Sequence, residues 1–285
     1  MQISKILSRR RFLGASVTTL AGLGIYGWQV EPHWVKIVEH PLPLKDAPGS
    51  WIGRRIVQIS DPHVGALVDS DYLISALKKV NELKPDLVLV TGDWMSCWNR
   101  DVPVPEVARV FAHLDKPPLG IVGILGNHDY GGENRNDVRL ADRLSDQLAA
   151  DGVTVLRNQA KEIDGVTFIG LDEYWAHRFD TKPVADHLGK PGPKLALVHN
   201  PDTCDLPQWY GYDGWIFCGH THGGQCKSPF LPPFILPVQN HRYTAGIFDL
   251  YDGRTLHINP GLGYVRKIRF NVRPEISIFT VQAAT

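Results

Sequence analysis

Five runs of apolar residues in this chain each give way to a short cluster of Asp, Asn and His, and this repeated junction narrows the possible folds more than any other feature. Ile56 to Ile59 leads to Asp61-Pro62-His63, Leu87 to Val90 to Gly92-Asp93, and Ile121 to Leu125 to Gly126-Asn127-His128-Asp129. Leu195 to Val198 leads to His199-Asn200, and Trp215-Ile216-Phe217 precedes Gly219-His220-Thr221-His222. Continuous, largely β-branched runs read as buried strands of an α/β sheet. Polar residues just past such strands lie where open α/β sheets place their ligands. Carboxylate, amide and imidazole donors together suit Mn, Fe or Zn rather than calcium alone. The pattern is that of a metal site.

The segments between these runs carry helical spacing. Leu73, Leu77, Val80 and Leu83 predict a helix over Asp71 to Leu83 that ends before Pro85, and further helices are expected near Pro105 to Leu114 and Asp137 to Ala150. Strand and helix thus alternate three times, as a parallel core requires. Later segments are shorter and richer in strands: Val153 to Arg157, Val166 to Leu171, Leu195 to His199, Trp215 to Cys218, Tyr243 to Leu250, Thr255 to Ile258 and Ile276 to Val281. Asp252-Gly253 reads as a hairpin turn between two of them. The expected architecture is a mixed sandwich of two sheets with helices outside.

The N-terminus predicts a separate element. Ser8-Arg9-Arg10-Arg11-Phe12-Leu13 holds a twin arginine, and Phe12 to Val30 carries no charge. This resembles a twin-arginine export signal. As a helix the uncharged stretch would span about 28 Å, close to the roughly 30 Å of a bilayer core, so retention as an anchor in a bacterial inner membrane is an alternative. Residues 1–30 are therefore read as signal or anchor, 31–50 as a Pro-containing linker wrapping onto the domain, and 51–285 as the catalytic domain. The expected location faces the periplasm or exterior, with membrane association through the N-terminus.

Charge excludes one class of partner. Lys+Arg and Asp+Glu both number 30, and without Lys5, Arg9, Arg10 and Arg11 the balance is 26 − 30 = −4. No basic field exists to concentrate nucleic acid, and no nucleic-acid partner is expected. The four cysteines make no Cys-x-x-Cys pair, and no disulfide is assigned.

Asp61 and His63 are one residue apart, so on an extended segment they would share a side and grip one ion. Asp93 offers two oxygens and can bridge two ions. Asn127 brings an amide oxygen, and His199, His220 and His222 bring imidazoles. Two carboxylates against two divalent ions leave a net charge of about +2, an attractor for phosphate. Such a pair binds phosphoryl oxygens and brings a shared water towards neutral pKa, so that the bridging hydroxide attacks phosphorus in line. His128, between Asn127 and Asp129, is the expected general acid for the leaving alkoxide, with Asp129 orienting its ring.

The ordered set D-x-H, G-D, G-N-H-D, H and G-H-x-H, from Asp61 to His222, resembles the calcineurin-like metallophosphoesterase superfamily. The resemblance implies a four-layer α/β sandwich of two mixed β-sheets flanked by helices, with a dinuclear site at strand C-terminal ends. It implies that Asp61, His63 and His222 hold one metal, that Asn127, His199 and His220 hold the other, and that Asp93 bridges. His128 matches the catalytic histidine. The two ions would be Mn, Fe, Zn or Mg.

Gly223-Gly224-Gln225, Tyr243-x-x-Gly246 and the segment from Gly261 to Glu275 are similar to a branch of exported phosphodiesterases that also holds UDP-2,3-diacylglucosamine pyrophosphatases of the chlamydial type. Asn259-Pro260 departs from the pair expected before Gly261. The implied substrate is a phosphodiester or pyrophosphate, lipid-linked or from the cell envelope. Hydrolysis of UDP-2,3-diacylglucosamine in lipid A biosynthesis and a non-catalytic metal-binding scaffold stand as the alternatives.

His33, His40, His113, His187, His241 and His257 have no comparable context and read as surface or satisfied core histidines. Arg266, Lys267 and Arg269 read as a solvated strand face. His177 in Asp172 to Arg178 is a candidate for lining the cleft. Phe230 to Pro237 is broken by prolines and reads either as a loop packed on its own domain or as one that, exposed beside the cleft, dips into a bilayer or accepts an acyl chain.

Overall fold

In a computed structural model, which describes residues 9–97, 103–132 and 136–284, the strands form two six-stranded sheets. Residues 1–8, with Lys5 and Ser8 of the N-terminal signal, lie outside the described residues, as do the side chains of Arg9 to Arg11. The chain begins with α1 (Arg9–Ile25) and then alternates β1 (Lys36–Leu44), β2 (Arg55–Ile59), α2 (Ser70–Glu82), β3 (Leu87–Thr91), α3 (Val104–Phe111), β4 (Ile121–Ile124) and α4 (Val138–Ala150). It continues through β5 (Val153–Val155), β6 (Gln159–Ile163), β7 (Val166–Gly170), α5 (Ala185–Gly189), β8 (Lys194–Leu197), β9 (Trp215–Cys218), β10 (Gly246–Asp249), β11 (Thr255–Ile258) and β12 (Glu275–Ala283).

The helices start where side chains can satisfy their free N–H groups. Asp69 accepts from the Asp71 and Tyr72 amides ahead of α2, and Asp137 accepts from the Leu140 amide in α4. Each then buries one stripe: Leu73, Ala76, Leu77 and Val80 in α2, and Leu140, Ala141, Leu144 and Leu148 in α4.

Sheet one runs β1-β12-β2-β3-β4-β5, and sheet two runs β10-β11-β9-β8-β7-β6. Strands β2 to β5 are parallel, whereas β12 is antiparallel to β2. In sheet two β7, β8, β9 and β11 are parallel, with antiparallel β6 and β10 at the edges. Ile56, Leu87, Leu89, Val122 and Ile124 meet Phe168, Leu195, Leu197 and Phe217 between the sheets. The outer face of sheet one carries α2, α3 and α4 through a second core, and Leu188 and Trp209 cover sheet two through a third. This is the four-layer order of helices, sheet, sheet and helix with loops.

Two strands depart from the sequence expectation. Lys36–Leu44, placed in the linker, is a nine-residue strand in register with β12. Its prolines are tolerated because it is an edge strand. The Lys36 amide donates inward to the Pro274 carbonyl, so Pro41 and Pro43, at the opposite parity, sit where an N–H would face away from the partner. The folded domain therefore begins before Trp51. Strand β6, Gln-Ala-Lys-Glu-Ile, buries no residue fully and gave no apolar run to read. Among the described residues no helix is long and apolar enough to cross a membrane.

Candidate metal centre

The loops after β2, β3, β4, β8 and β9 bring their polar residues together, and those after β2, β3 and β9 leave their strands in left-handed conformations. Asp61, His63, Asp93, His220 and His222 have φ of 50°, 51°, 53°, 70° and 50°. Each such residue costs of order 1–3 kcal/mol, and five at one place mark backbone held against its preference by its surroundings. Asp61 and His63 thus converge through positive φ, and not through the strand alternation expected from their spacing. Their loop is zipped to the next one, with Asp61 N–H donating to the Gly92 carbonyl and His63 N–H to the Asp93 carbonyl, both at 3.0 Å. Gly92, at φ 94°, has no room for a Cβ, which would stand 2.6 Å from His199 Nδ1.

Two donor groups result. One atom each from Asp61, His63 and His222 lies within 4.8 Å of the others, and the same holds for Asp93, His199 and His220. Asp93 stands between them, with Oδ2 3.5 Å from His63 Nε2 and 3.2 Å from His199 Nε2. The fourth expected donor, Asn127 Oδ1, is buried and has no hydrogen-bond partner. An acceptor left so costs about 1–3 kcal/mol unless something positive meets it. The set fits a divalent cation.

Hydrogen bonds fix several rings. His199 Nδ1 donates to the Thr91 carbonyl at 2.7 Å and His220 Nε2 to the Pro237 carbonyl at 2.8 Å. This turns Nε2 of the first and Nδ1 of the second toward each other, 3.3 Å apart, beside Asp93. The Asp61 carboxylate accepts the His220 N–H on both oxygens at 3.1 Å.

Burial sets the protonation of the cation-free centre. It drives His63 and His220 down to about 3 and His222 well below its ordinary value, leaving imidazole lone pairs free at neutral pH. It pushes Asp61 up to about 7. Burial also opposes charge on His199 and Asp93, but their mutual attraction outweighs it, raising His199 to about 10 and holding Asp93 well below the carboxylate range.

His128 sits at this centre with its N–H on Asp93 Oδ1 at 2.8 Å. Asp129 does not orient its ring, contrary to expectation. The Asp129 carboxylate accepts the Gly126 and Met95 amides and is committed to shaping the turn. The hydroxyl of Ser96 takes the ring position instead, 3.3 Å from His128 Nδ1 and 3.0 Å from His63 Nδ1.

Other residues reach the site without a sequence signature. Trp175 packs edge-on against His220 with ring centroids 4.5 Å apart, while His177 of the same loop is exposed. Glu173 is buried, its Oε1 unpartnered, and burial pushes its carboxyl up to about 7. Arg269 is not on a solvated face. It is fully buried, donates to the carbonyls of Pro260, Gly261 and Gly263, and lies 3.5 Å from His222 Nδ1. Asn259 is structural, bonded to the Gly261 amide and the Ser277 hydroxyl.

Above these residues opens a cavity of about 370 Å³ with a mixed lining. Asp93, Asn127, His128, His220, His222 and Arg266 are among its polar residues, and Ile235, Pro237, Val265 and Ile268 among its apolar ones. The loop carrying Ile235 leaves Phe230, Phe234 and Ile235 exposed by 92%, 79% and 79%.

Comparison with known proteins agrees with this arrangement. Residues 54–224 match the family model for calcineurin-like phosphoesterases. The metallophosphoesterase YkuE of Bacillus subtilis is 31% identical over 301 residues, covering 98% of this chain and 99% of that one. Phosphodiesterase YaeI of Escherichia coli is 30% identical, covering 96% and 98%. UDP-2,3-diacylglucosamine pyrophosphatase LpxG of Chlamydia trachomatis is 28% identical, covering 93% and 95%.

Proposed function

Because this chain belongs to the calcineurin-like phosphoesterase family, we propose that it uses two divalent cations to hydrolyse a phosphodiester or pyrophosphate bond in a lipid-linked or cell-envelope substrate. The observation that carries the reading is the mixed lining of one cavity, where Asp93, Asn127, His128, His220 and His222 are joined by Ile235, Pro237, Val265 and Ile268. A hydrophilic monoester would leave these apolar side chains without a partner, whereas a diester carries a second substituent on phosphorus that can meet them.

Bound cations would supply Lewis-acid polarisation of phosphoryl oxygens and an acidified water. Asp61, His63 and His222 would hold one, Asn127, His199 and His220 the other, with Asp93 between. His128 supplies the proton for the leaving oxygen. Ser96 occupies its Nδ1 side, which leaves the Nε2 edge free to donate. Ile235, Pro237, Val265 and Ile268 accept the apolar part of the substrate and exclude water from that side.

The membrane setting is supported by two exposed apolar features, α1 and the Phe230 to Ile235 loop. Phe12, Leu13, Val17, Leu20 and Ile25 of α1 are all more than half exposed, and Gly27 in the turn that follows it accepts the Arg269 amide, next to Ile268 of the cavity. Together with the twin arginine this favours export or anchoring with the site facing the periplasm or exterior. A reporter fused to the C-terminus tests it: activity confined to the cytosol defeats export. That result would favour the second reading, cleavage of an acylated nucleotide sugar, whose substrate is made on the cytoplasmic side and whose acyl chains suit the same apolar side chains. Turnover of lipid diesters against UDP-2,3-diacylglucosamine separates the two.

A further inference from the structure

A second cluster of metal-type donors lies between the sheets, where β1 and β12 of sheet one face β11 of sheet two. Its members are His40, His257 and Glu275, whose donor atoms lie within 4.8 Å of one another, and it shares no residue with the centre described above. The β1 to β12 register pairs Lys36 with Glu275 and His40 with Phe279, so both strands deliver their residues from the same edge of the sandwich.

His257 is fully buried, and its hydrogen bonds show which nitrogen is free. Its Nδ1 lies 2.6 Å from Gln58 Oε1, whose amide nitrogen is committed to Thr91 and the Cys218 carbonyl. An amide oxygen only accepts, so Nδ1 carries the hydrogen and Nε2 presents a lone pair. That Nε2 is buried, has no hydrogen-bond partner, and points at Glu275 Oε1 from 3.9 Å. A lone pair aimed at a carboxylate with nothing positive between them is an arrangement that repels.

The ordinary neighbours of Glu275 are elsewhere: the Ser277 hydroxyl donates to Oε1 at 2.6 Å and the Lys36 ammonium holds Oε2 at 2.6 Å. His40 completes the ring of donors, its centroid 5.3 Å from that of His257 and 5.2 Å from Phe279, which closes the apolar side. It is half-buried and gives the cluster a route to solvent.

We propose that His40, His257 and Glu275 bind a divalent cation of the zinc class, which fastens the edge strand β1 to the second sheet. Two imidazoles and one carboxylate with an open position are a donor set that Zn²⁺ accepts. With bonds of about 2.0–2.1 Å, tetrahedral donors stand roughly 3.4 Å apart, so donors that lie within 4.8 Å of one another need draw together by at most about 1.4 Å. Gln58 orients the His257 ring and Ser277 the carboxylate, the supporting contacts a metal site needs. Lys36, whose side chain is 40% exposed, can swing outward as the cation arrives.

The test counts Zn²⁺ per full-length chain by elemental analysis after gel filtration, in wild type, His40→Ala, Glu275→Gln and the double variant Asp93→Ala/His199→Ala with and without His40→Ala. The expected result is that the double variant loses one ion when His40→Ala is added to it, that His40→Ala and Glu275→Gln each lose one ion relative to wild type, and that His40→Ala keeps its turnover of bis-p-nitrophenyl phosphate within twofold. Zn²⁺ should also raise the melting temperature of the double variant more than that of the double variant carrying His40→Ala. Retention of the full count in His40→Ala, or an unchanged count when His40→Ala is added to the double variant, overturns the proposal. Because the ion lost from the double variant is read without any activity, failure of the phosphoesterase reading would not change it.

Discussion

The ring of His128 is held on its Nδ1 side by the hydroxyl of Ser96, 3.3 Å away, and the same hydroxyl lies 3.0 Å from Nδ1 of His63. One side chain thus positions both an expected metal ligand and the expected proton donor. Removal of such a supporting group commonly lowers metal affinity or activity 10- to 100-fold. Ser96→Ala should therefore lose about 10- to 100-fold in kcat/KM at saturating metal. A change below twofold would show that the hydroxyl positions neither ring.

His128 and its chain neighbour should separate in their kinetics. His128→Ala removes the proton donor and should cut kcat by roughly 10²- to 10⁴-fold with metal content intact. Asp129→Asn alters a turn built on the Gly126 and Met95 amides and should lower the melting temperature while leaving the pH profile of kcat in place. A displaced alkaline limb in Asp129→Asn would return Asp129 to the role of ring orienter.

The exposed apolar loop beside the cavity predicts a split between substrates. Replacing Phe230 and Phe234 together by Ser removes exposed side chains whose burial in a lipid surface would contribute about 1.5–3 kcal/mol each. Turnover of a diester embedded in vesicles should fall at least tenfold, chiefly through KM, and soluble bis-p-nitrophenyl phosphate should be cleaved within twofold of wild type. Equal loss on both would mean that the loop serves the fold.

Glu173 predicts a pH dependence of stability in the cation-free protein. Burial raises its carboxyl from 4.5 to about 7. The unfolded chain therefore releases this proton first as pH rises, and the stability contributed by the neutral form, fully present below 4.5, is lost through pH 7. Glu173→Gln keeps an acceptor for the Ala176 amide and cannot ionise. It should exceed wild type in stability at pH 8, by up to about 3 kcal/mol, and match it near pH 4. An equal difference at both pH values would place the effect outside titration.

The central strands were legible because parallel strands covered on both faces spell continuous apolar runs, as Leu87–Thr91 and Trp215–Cys218 do. Strand β1 was not, since Pro41 and Pro43 imitate a linker until the strand is seen at an edge. The seven metal-type residues were legible because five strand ends repeat one motif. Ser96, Glu173, Trp175 and Arg269 carry no such repetition; each is a single residue whose role comes from tertiary packing. The same reason hid His40 and His257, which lie far apart in sequence and meet only because β1 and β11 belong to opposite sheets.

The central claim is a phosphodiesterase built on the Asp93-centred donor set. Full-length protein, in wild-type and His40→Ala forms, should be loaded separately with Mn, Zn and Mg, its ions counted, and assayed on bis-p-nitrophenyl phosphate beside p-nitrophenyl phosphate. The account predicts diester turnover exceeding monoester turnover, with about two ions at the centre and loss of activity in Asp93→Ala. Ions bound at the centre without turnover of either ester, or turnover unchanged in Asp93→Ala, would contradict it.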